Sequence, residues 1–252
     1  MKAFRNLALA MAAFALASCG NGNGHGLQGW VEAELIFVSP DEAGRVETLP
    51  VAQGDRVEQG ALLFTVDPDL QQADVAVAEA SLTNAKQTYE RAKELLKTAT
   101  GTQKALEDAE ATLRSAEARL NSARTRLTRR RALSPEVGIV QQVYYRPGET
   151  VPAGRPVVSL LPPRNLKIRF FVPQASLPEI KFGDTVNVTC DGCEANLTAQ
   201  ISFIARRTEF TPPVIYSLEE RSKLVFLVEA RPASPEKFRV GQPVNVTLPK
   251  AK

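Results

Sequence analysis

Two stretches of the chain repeat each other at a distance of 94 residues, with a long polar segment between them. The repeat keeps glycines and apolar residues, and the paired positions are Gly44 and Gly138, Gly54 and Gly148, Gly60 and Gly154, Val46 and Val140, Leu49 and Val143, Val57 and Val151, Leu63 and Val157, and Val66 and Leu160. The apolar residues recur at strand spacing, and the glycine-acid pairs mark turns. Each copy therefore predicts three short strands that cannot bury their apolar face alone, so the two copies must pack together.

The segment between the copies predicts an antiparallel pair of helices. Asp67 is a good N-cap, and Pro68 suits the first helical position. Apolar residues then step by three and four along two arms on either side of Gly101, which is the heptad pattern of a coiled coil. The seam residues are Val75, Ala78, Leu82, Ala85, Tyr89, Ala92 and Leu96 in the first arm, and Leu106, Ala109, Leu113, Ala116, Leu120, Ala123 and Leu127 in the second. Because the seam is symmetric about Gly101, it predicts a helical hairpin with arms about 45 Å long.

The N-terminus predicts secretion and lipid attachment. A basic start precedes an apolar run over residues 7–17, which is too short to span a bilayer and is typical of a secretion signal. The run ends in Leu-Ala-Ser-Cys, which looks like a bacterial lipobox with Cys19 as the lipidated residue. Two or three acyl chains would anchor the protein stably. Gly20 follows, where the inner-membrane retention signal of enteric bacteria usually has Asp, so an outer-membrane anchor stays open.

The C-terminal part is rich in strand patterns and contains the two remaining cysteines. Alternating segments at 166–172 and 224–230 are each followed by a glycine turn and a further strand, at 182–188 and 240–246. The Asp-Gly pair between Cys190 and Cys193 is a strong hairpin turn that would set the two thiols opposite each other. In an oxidising compartment we expect a disulfide. A redox motif, a zinc site and two free thiols are the alternatives, although strands flank the motif and no further zinc ligands are near.

Composition and motifs give no support to catalysis or nucleic-acid binding. The net charge is only +3, and the arginines within 124–131 fall at a helix C-terminus, where the helix dipole favours cations. The single histidine, His25, cannot form a metal site or a triad by itself. No Walker loop, nucleophile elbow or metal-binding histidine pair occurs. We therefore predict that the chain is not an enzyme and has no cofactor, metal site or nucleic-acid partner.

The repeat resembles the lipoyl or biotinyl carrier fold, in which two such halves form a flattened β-sandwich. A working carrier presents a modified lysine at a tight hairpin between its halves. Here helices replace that hairpin, which argues against a swinging-arm carrier.

A lipoyl-like sandwich that is split by a coiled-coil hairpin and followed by β-rich sequence resembles the membrane fusion proteins, the HlyD-like periplasmic adaptors. The resemblance implies a mixed fold of β-structure and α-helical coiled coil: a lipoyl-like β-sandwich, an antiparallel helical hairpin and a small C-terminal β-barrel. The expected boundaries are a signal peptide at 1–18, a flexible tether at 19–26, the first lipoyl half with an N-terminal strand at 27–66, the hairpin at 67–133, the second lipoyl half at 134–163 and the barrel at 164–252.

The same resemblance implies partners and a contact site. Arg91, Leu95 and Thr102 fit the family's hairpin-tip motif for contact with a TolC-like outer-membrane channel. The stretch from Glu209 to Val225 is similar to adaptors that serve ABC-type exporters. The implied protein is a lipid-anchored periplasmic adaptor of the inner membrane, assembled as a homo-oligomer, expected to be a hexameric ring. An adaptor of a proton-driven pump and a stand-alone binding lipoprotein are the alternatives.

Overall fold

The computed structural model of the protein describes residues 26–209 and 224–248, which divide into two compact units. One unit comprises residues 34–165, and the other contains the described residues of segments 1–33 and 166–252. The strands are β1 (Leu27–Ala33), β2 (Ile36–Val38), β3 (Gly44–Thr48), β4 (Arg56–Val57), β5 (Leu62–Val66), β6 (Arg131–Leu133), β7 (Gly138–Val143), β8 (Thr150–Val151), β9 (Val158–Leu161), β10 (Leu166–Pro173), β11 (Thr185–Thr189), β12 (Leu197–Glu209), β13 (Val225–Pro232) and β14 (Pro243–Thr247). The two long helices are α1 (Asp69–Lys97) and α2 (Gln103–Thr128).

The unit of residues 34–165 contains a sandwich of two four-stranded sheets, with strand orders β2-β9-β7-β4 and β6-β5-β3-β8. Each sheet borrows one strand from the other copy of the repeat, since β4 pairs with β7 and β8 pairs with β3. The exchange is reciprocal: the Gly54 amide donates to the Val140 carbonyl, and the Gly148 amide donates to the Val46 carbonyl, both at 2.8 Å. The two copies are therefore interlocked through their backbones.

The sandwich core consists of the residues that the repeat pairs. Its buried cluster is Val46, Val57, Leu63, Phe64, Val66, Val140, Val151, Val157, Val158 and Leu160, which form five pairs related by the 94-residue shift. Leu49 and Val143, the remaining predicted pair, are partly buried against this cluster. The lipoyl-like sandwich that the sequence predicted is thus confirmed, and neither copy of the repeat has a core of its own.

The helical hairpin also follows its predicted seam. All fourteen seam residues are buried or half-buried, whereas most residues between them are exposed. The most deeply buried are Ala85, Ala109, Ala116, Leu120 and Ala123. Because most of these are alanines, α1 and α2 can approach closely along their whole length. The Asp67 side chain accepts a hydrogen bond from the Asp69 amide at 3.1 Å, which satisfies a free donor at the start of α1.

Arg130 joins the hairpin to the sandwich. It follows α2 and is 8% exposed. Its guanidinium donates to the backbone carbonyls of Asp67, Glu42 and Ala43 at 3.1 to 3.3 Å. Gly44 leaves room for this side chain, because a Cβ there would lie 3.1 Å from Nη2 of Arg130 and 2.4 Å from Cγ1 of Val66. One buried cation that follows the helical insertion therefore bonds to three carbonyls of the chain that precedes it.

The second unit is a closed, antiparallel six-stranded barrel in the order β1-β10-β13-β12-β11-β14. Strands β10, β11, β13 and β14 are the four that the sequence pattern predicted. Turns at Gly183 and Gly241, with φ of 89° and 82°, precede β11 and β14. The predicted small barrel is confirmed. Among its fully buried residues are Val31, Ile168, Phe170 and Val228.

Three strands lie where the sequence pattern did not place them. Residues 27–33 were assigned to the lipoyl half, but β1 pairs with β10 and β14 of the barrel. Residues 131–133 were assigned to the hairpin, but β6 pairs with β5 of the sandwich. No strand was predicted for β12, whose pairing with β13 shifts register twice. Such shifts break the alternation of apolar and polar residues that reveals a strand in a sequence.

We expect Arg130→Met to lower the free energy of unfolding by roughly 3 kcal/mol, because it removes the buried donor of three backbone carbonyls. Urea denaturation of the purified protein would measure the change. The matched control is Arg129→Met, which removes an exposed ion pair with Asp41 and should cost less than about 1 kcal/mol. Equal losses in the two variants would show that Arg130 does not hold the hairpin base.

Candidate functional site

The three residues of the predicted tip motif lie at the end of the hairpin away from Arg130. Arg91 and Leu95 are exposed and four residues apart on α1, so they share one helix face. Leu95 is 46% exposed, although its neighbour Leu96 lies in the seam. Thr102 is the N-cap of α2, on the other side of the connecting turn. The fold therefore brings the motif to one region and leaves an apolar side chain in solvent.

The turn between the helices is built on the Leu95 carbonyl. This oxygen accepts hydrogen bonds from the Thr100 and Gly101 amides at 3.0 and 2.9 Å. Ala99 adopts a left-handed conformation with φ of 58°. A Cβ on Gly101 would lie 2.9 Å from the Leu96 nitrogen and 3.1 Å from the Leu95 Cβ, so only glycine fits without a shift. The backbone of the exposed Leu95 is consequently fixed by the turn.

Thr102 has a structural role in this turn. Its hydroxyl oxygen accepts a hydrogen bond from the Ala105 amide at 3.2 Å, which caps α2. The hydroxyl proton is still available for a further bond, because a hydroxyl group can accept and donate at once. The tip motif therefore combines one side chain that stabilises the hairpin, that of Thr102, with two side chains that face solvent.

Charged residues lie next to the exposed Leu95 in the sequence of α1. Lys97 donates a hydrogen bond to Glu94 at 2.6 Å. This bond lowers the pKa of the Glu94 carboxyl and raises the pKa of the Lys97 amine, so both groups stay charged across the ordinary pH range. The Lys93 amine lies 5.8 Å from the centre of the Tyr89 ring. An exposed apolar side chain with charged neighbours on the same helix is typical of a protein contact rather than of an active site.

One side of the hairpin forms a groove of about 560 Å³. Short side chains of both helices line it: Ser81, Asn84, Ala85, Thr88, Ala111, Thr112, Ser115, Ala116 and, as the one charged residue, Arg119. The short side chains leave room for another helix to approach the hairpin closely.

The structure pairs Cys190 and Cys193 as a disulfide, with their Cα atoms 5.3 Å apart. Asp191 and Gly192 form a turn, as expected, but this turn lies within a longer connection over residues 190–196 and does not join β11 directly to β12. The amide nitrogen of the Gln242 side chain lies 3.3 Å from both sulfur atoms and anchors the pair beside β14.

Other predicted features fall outside the described residues. These are the signal peptide, the lipidation site Cys19 with Gly20, the lone His25 and most of the segment between Glu209 and Leu224. Within residues 26–209 and 224–248, no cluster of His, Cys, Asp and Glu side chains could hold a metal ion. None of the helices in those ranges combines the length and apolar character needed to cross a membrane.

Comparisons with known proteins show which sequences the chain resembles. No protein-family model matches the chain. A UPF0194 membrane protein of the asrC 5′ region in Acidithiobacillus ferridurans is 29% identical over 124 residues, which are 48% of this chain and 37% of that protein. Multidrug resistance protein MdtN of Escherichia coli K12 is 43% identical over 53 residues, 21% of this chain and 16% of MdtN. The chain thus matches well under half the length of these curated relatives.

Two solved structures cover far more of the chain. The membrane fusion protein Spr0693 of Streptococcus pneumoniae R6 superposes with a TM-score of 0.70 at 19% identity, over 90% of this chain and 99% of its own. A MacA-MexA chimera that carries the Pseudomonas aeruginosa MexA α-hairpin domain gives 0.71 at 20% identity, over 88% of this chain and 78% of its own. The chain has the fold of a membrane fusion protein. The resemblance to membrane fusion proteins expected from the sequence is confirmed.

We expect Thr102→Ala to fray the start of α2 and to lower the free energy of unfolding by about 1 kcal/mol, because the Ala105 amide loses its acceptor. Amide hydrogen exchange at residues 103–106 would report the fraying. Thr102→Ser keeps the hydroxyl and should exchange like the wild type. Unchanged exchange in Thr102→Ala would show that the hydroxyl does not cap the helix.

We expect Cys190 and Cys193 to resist a thiol-specific alkylating agent in the native protein and to react after reduction, as a disulfide requires. Mass spectrometry of the peptide that contains both residues measures the label. Cys190→Ser is the control, since it leaves Cys193 free to react without a reductant. Labelling of the unreduced wild type at both positions would contradict the pairing.

Proposed function

We propose that the chain is a non-catalytic periplasmic adaptor that links an inner-membrane exporter to a TolC-like outer-membrane channel. The observation that carries the proposal is Leu95. It is an exposed apolar residue at the end of a hairpin whose own seam is already filled. Exposed apolar groups on a rigid helix suit a helix-to-helix contact with a partner. The membrane fusion protein fold and the similarity to a multidrug resistance protein support the same conclusion.

The proposed location is the periplasm, with Cys19 lipidated and the anchor in the inner membrane. The signal-like N-terminus and its lipobox support this proposal.

The proposed partner in the inner membrane is an ABC-type exporter. The support is the sequence around Glu209, Leu224 and Val225, which resembles adaptors of that class. The chain has no Walker loop, so the energy for transport would come from the partner.

We propose that copies of the chain assemble as a homo-oligomer, a ring of six, with hairpins side by side. The groove around Ser81, Thr112 and Ser115 supports this arrangement, because its short side chains allow a neighbouring helix to pack closely. A ring would place several copies of Leu95 at one end, so that weak single contacts with a channel add up.

Photocrosslinking in cells tests the proposed docking site. A photoreactive side chain replaces Leu95, and the trapped proteins are identified by mass spectrometry. Capture of an outer-membrane channel supports the proposal. Capture of nothing, or only of other copies of this chain, contradicts channel docking by the tip.

We expect Leu95→Asp to abolish export while leaving the protein folded and anchored, because a charge replaces the apolar contact. The matched control is Val77→Asp, which puts the same charge on an exposed apolar position of the same helix, away from the tip. Export of a substrate of the cognate transporter is measured, with circular dichroism as the check on folding. Wild-type export by Leu95→Asp, or equal loss in both variants, would refute a specific role for the tip.

A further inference from the structure

A groove of about 500 Å³ lies on the outer face of the barrel and includes no residue of the proposed docking site. Its lining includes Gln28, Trp30, Phe171, Asp191, Pro243 and Asn245. Strand register explains the arrangement. Gln28 lies opposite Asn245, and Trp30 lies opposite Pro243, so these four outward side chains form two adjacent rows. Asp191, from the connection after β11, lines the groove as well.

The groove has an aromatic wall. Trp30 is 37% exposed, and its ring centre lies 5.8 Å from that of Phe171 at a tilt of 50°. The Arg169 guanidinium stacks 5.9 Å from the Trp30 ring and is itself paired with Glu32 at 2.7 Å. The Trp30 ring is therefore fixed by neighbours and still offers surface to a ligand.

The remaining walls are polar and keep free hydrogen-bonding capacity. Within the described part of the chain, the side chains of Gln28, Asn245 and Asp191 make no hydrogen bond to other residues. The amides of Gln28 and Asn245 can both donate and accept, and the Asp191 carboxylate accepts. The disulfide and its contact with Gln242 hold the connection that carries Asp191. The groove thus has one aromatic wall and one wall of polar side chains, and the disulfide holds the connection that carries Asp191 in place.

The chemistry of these walls selects the class of ligand. An organic cation is disfavoured because the positive charge of the Arg169 guanidinium beside the Trp30 ring would repel it. An anion would meet the Asp191 carboxylate, and a purely apolar ligand would strip water from two amides without replacing their bonds. A sugar ring satisfies both sides, since its C–H face packs on an aromatic ring and its hydroxyls pair with amides and a carboxylate. We propose that the barrel groove binds a neutral saccharide chain.

The chain itself provides the reporter for this proposal, because Trp30 is its single tryptophan. The intact purified protein is titrated with chitotriose, an oligomer of N-acetylhexosamine, and separately with maltotriose, a hexose oligomer. We expect a saturable change in tryptophan fluorescence with one of them. Saturation by the first points to a cell-wall type of glycan, and saturation by the second to a hexose polysaccharide. No saturable change with either probe overturns the proposal.

Substitutions locate the binding. We expect Asn245→Ala and Gln28→Ala to weaken the affinity roughly tenfold each, which is the usual effect of one hydrogen bond to a ligand. The matched control is Asn187→Ala, which removes an exposed amide from the outer face of β11 without touching the groove and should bind like the wild type. Unchanged affinity in both groove variants overturns the proposal. Leu95→Asp should bind saccharide normally, so a failure of channel docking and a failure of this inference are distinguishable.

Discussion

The unit of residues 34–165 depends on a hydrophobic core that two distant segments of the chain share. Five pairs of buried residues, each separated by 94 positions, come together between the sheets. Because β4 and β8 are exchanged between the copies, neither copy can complete a sheet or bury its valines without the other. Closing so long a loop costs entropy, and a helical insertion whose two arms run out and back lowers that cost by returning the chain to its starting point. The hairpin therefore helps the two copies of the repeat to meet during folding, and it also carries the proposed docking residues.

The hairpin is held by hydrogen bonds at its base and closed by a defined turn at its tip. Arg130 is a buried cation that donates to three backbone carbonyls, with the Glu42 carboxylate farther away at 3.9 Å. Exposed ion pairs such as Arg124 with Glu79 lie farther along the helices and contribute little stability. At the far end the Leu95 carbonyl closes the turn. A helical hairpin that is held at its base and closed by a defined turn can present the Leu95 side chain at a defined place, which a flexible loop could not do.

The sequence predicted the parts of the fold that repeat with a fixed period. The heptad seam and the paired valines are periodic, and the structure buries those residues. The N-terminal strand was expected in the lipoyl half, and its place in the barrel was missed because its partners β10 and β14 lie far away in the sequence. Strand β12 lost its alternation at two register shifts. The barrel groove could not be predicted either, since it depends on how β1, β14 and the connection after β11 line up across the sheet.

Thr102 belongs both to the hairpin's own structure and to the docking site proposed above. The sequence motif places it with Arg91 and Leu95, and the structure uses its oxygen to cap α2. A hydroxyl that accepts one bond still has a proton to donate, so a partner's carbonyl or carboxylate could bond to it without uncapping the helix. Serine meets both requirements, whereas asparagine could cap but would present a differently shaped donor. A partner that accepts this proton would therefore bind the same hydroxyl group that caps α2. Docking of the partner would then be coupled to the stability of the first turn of α2.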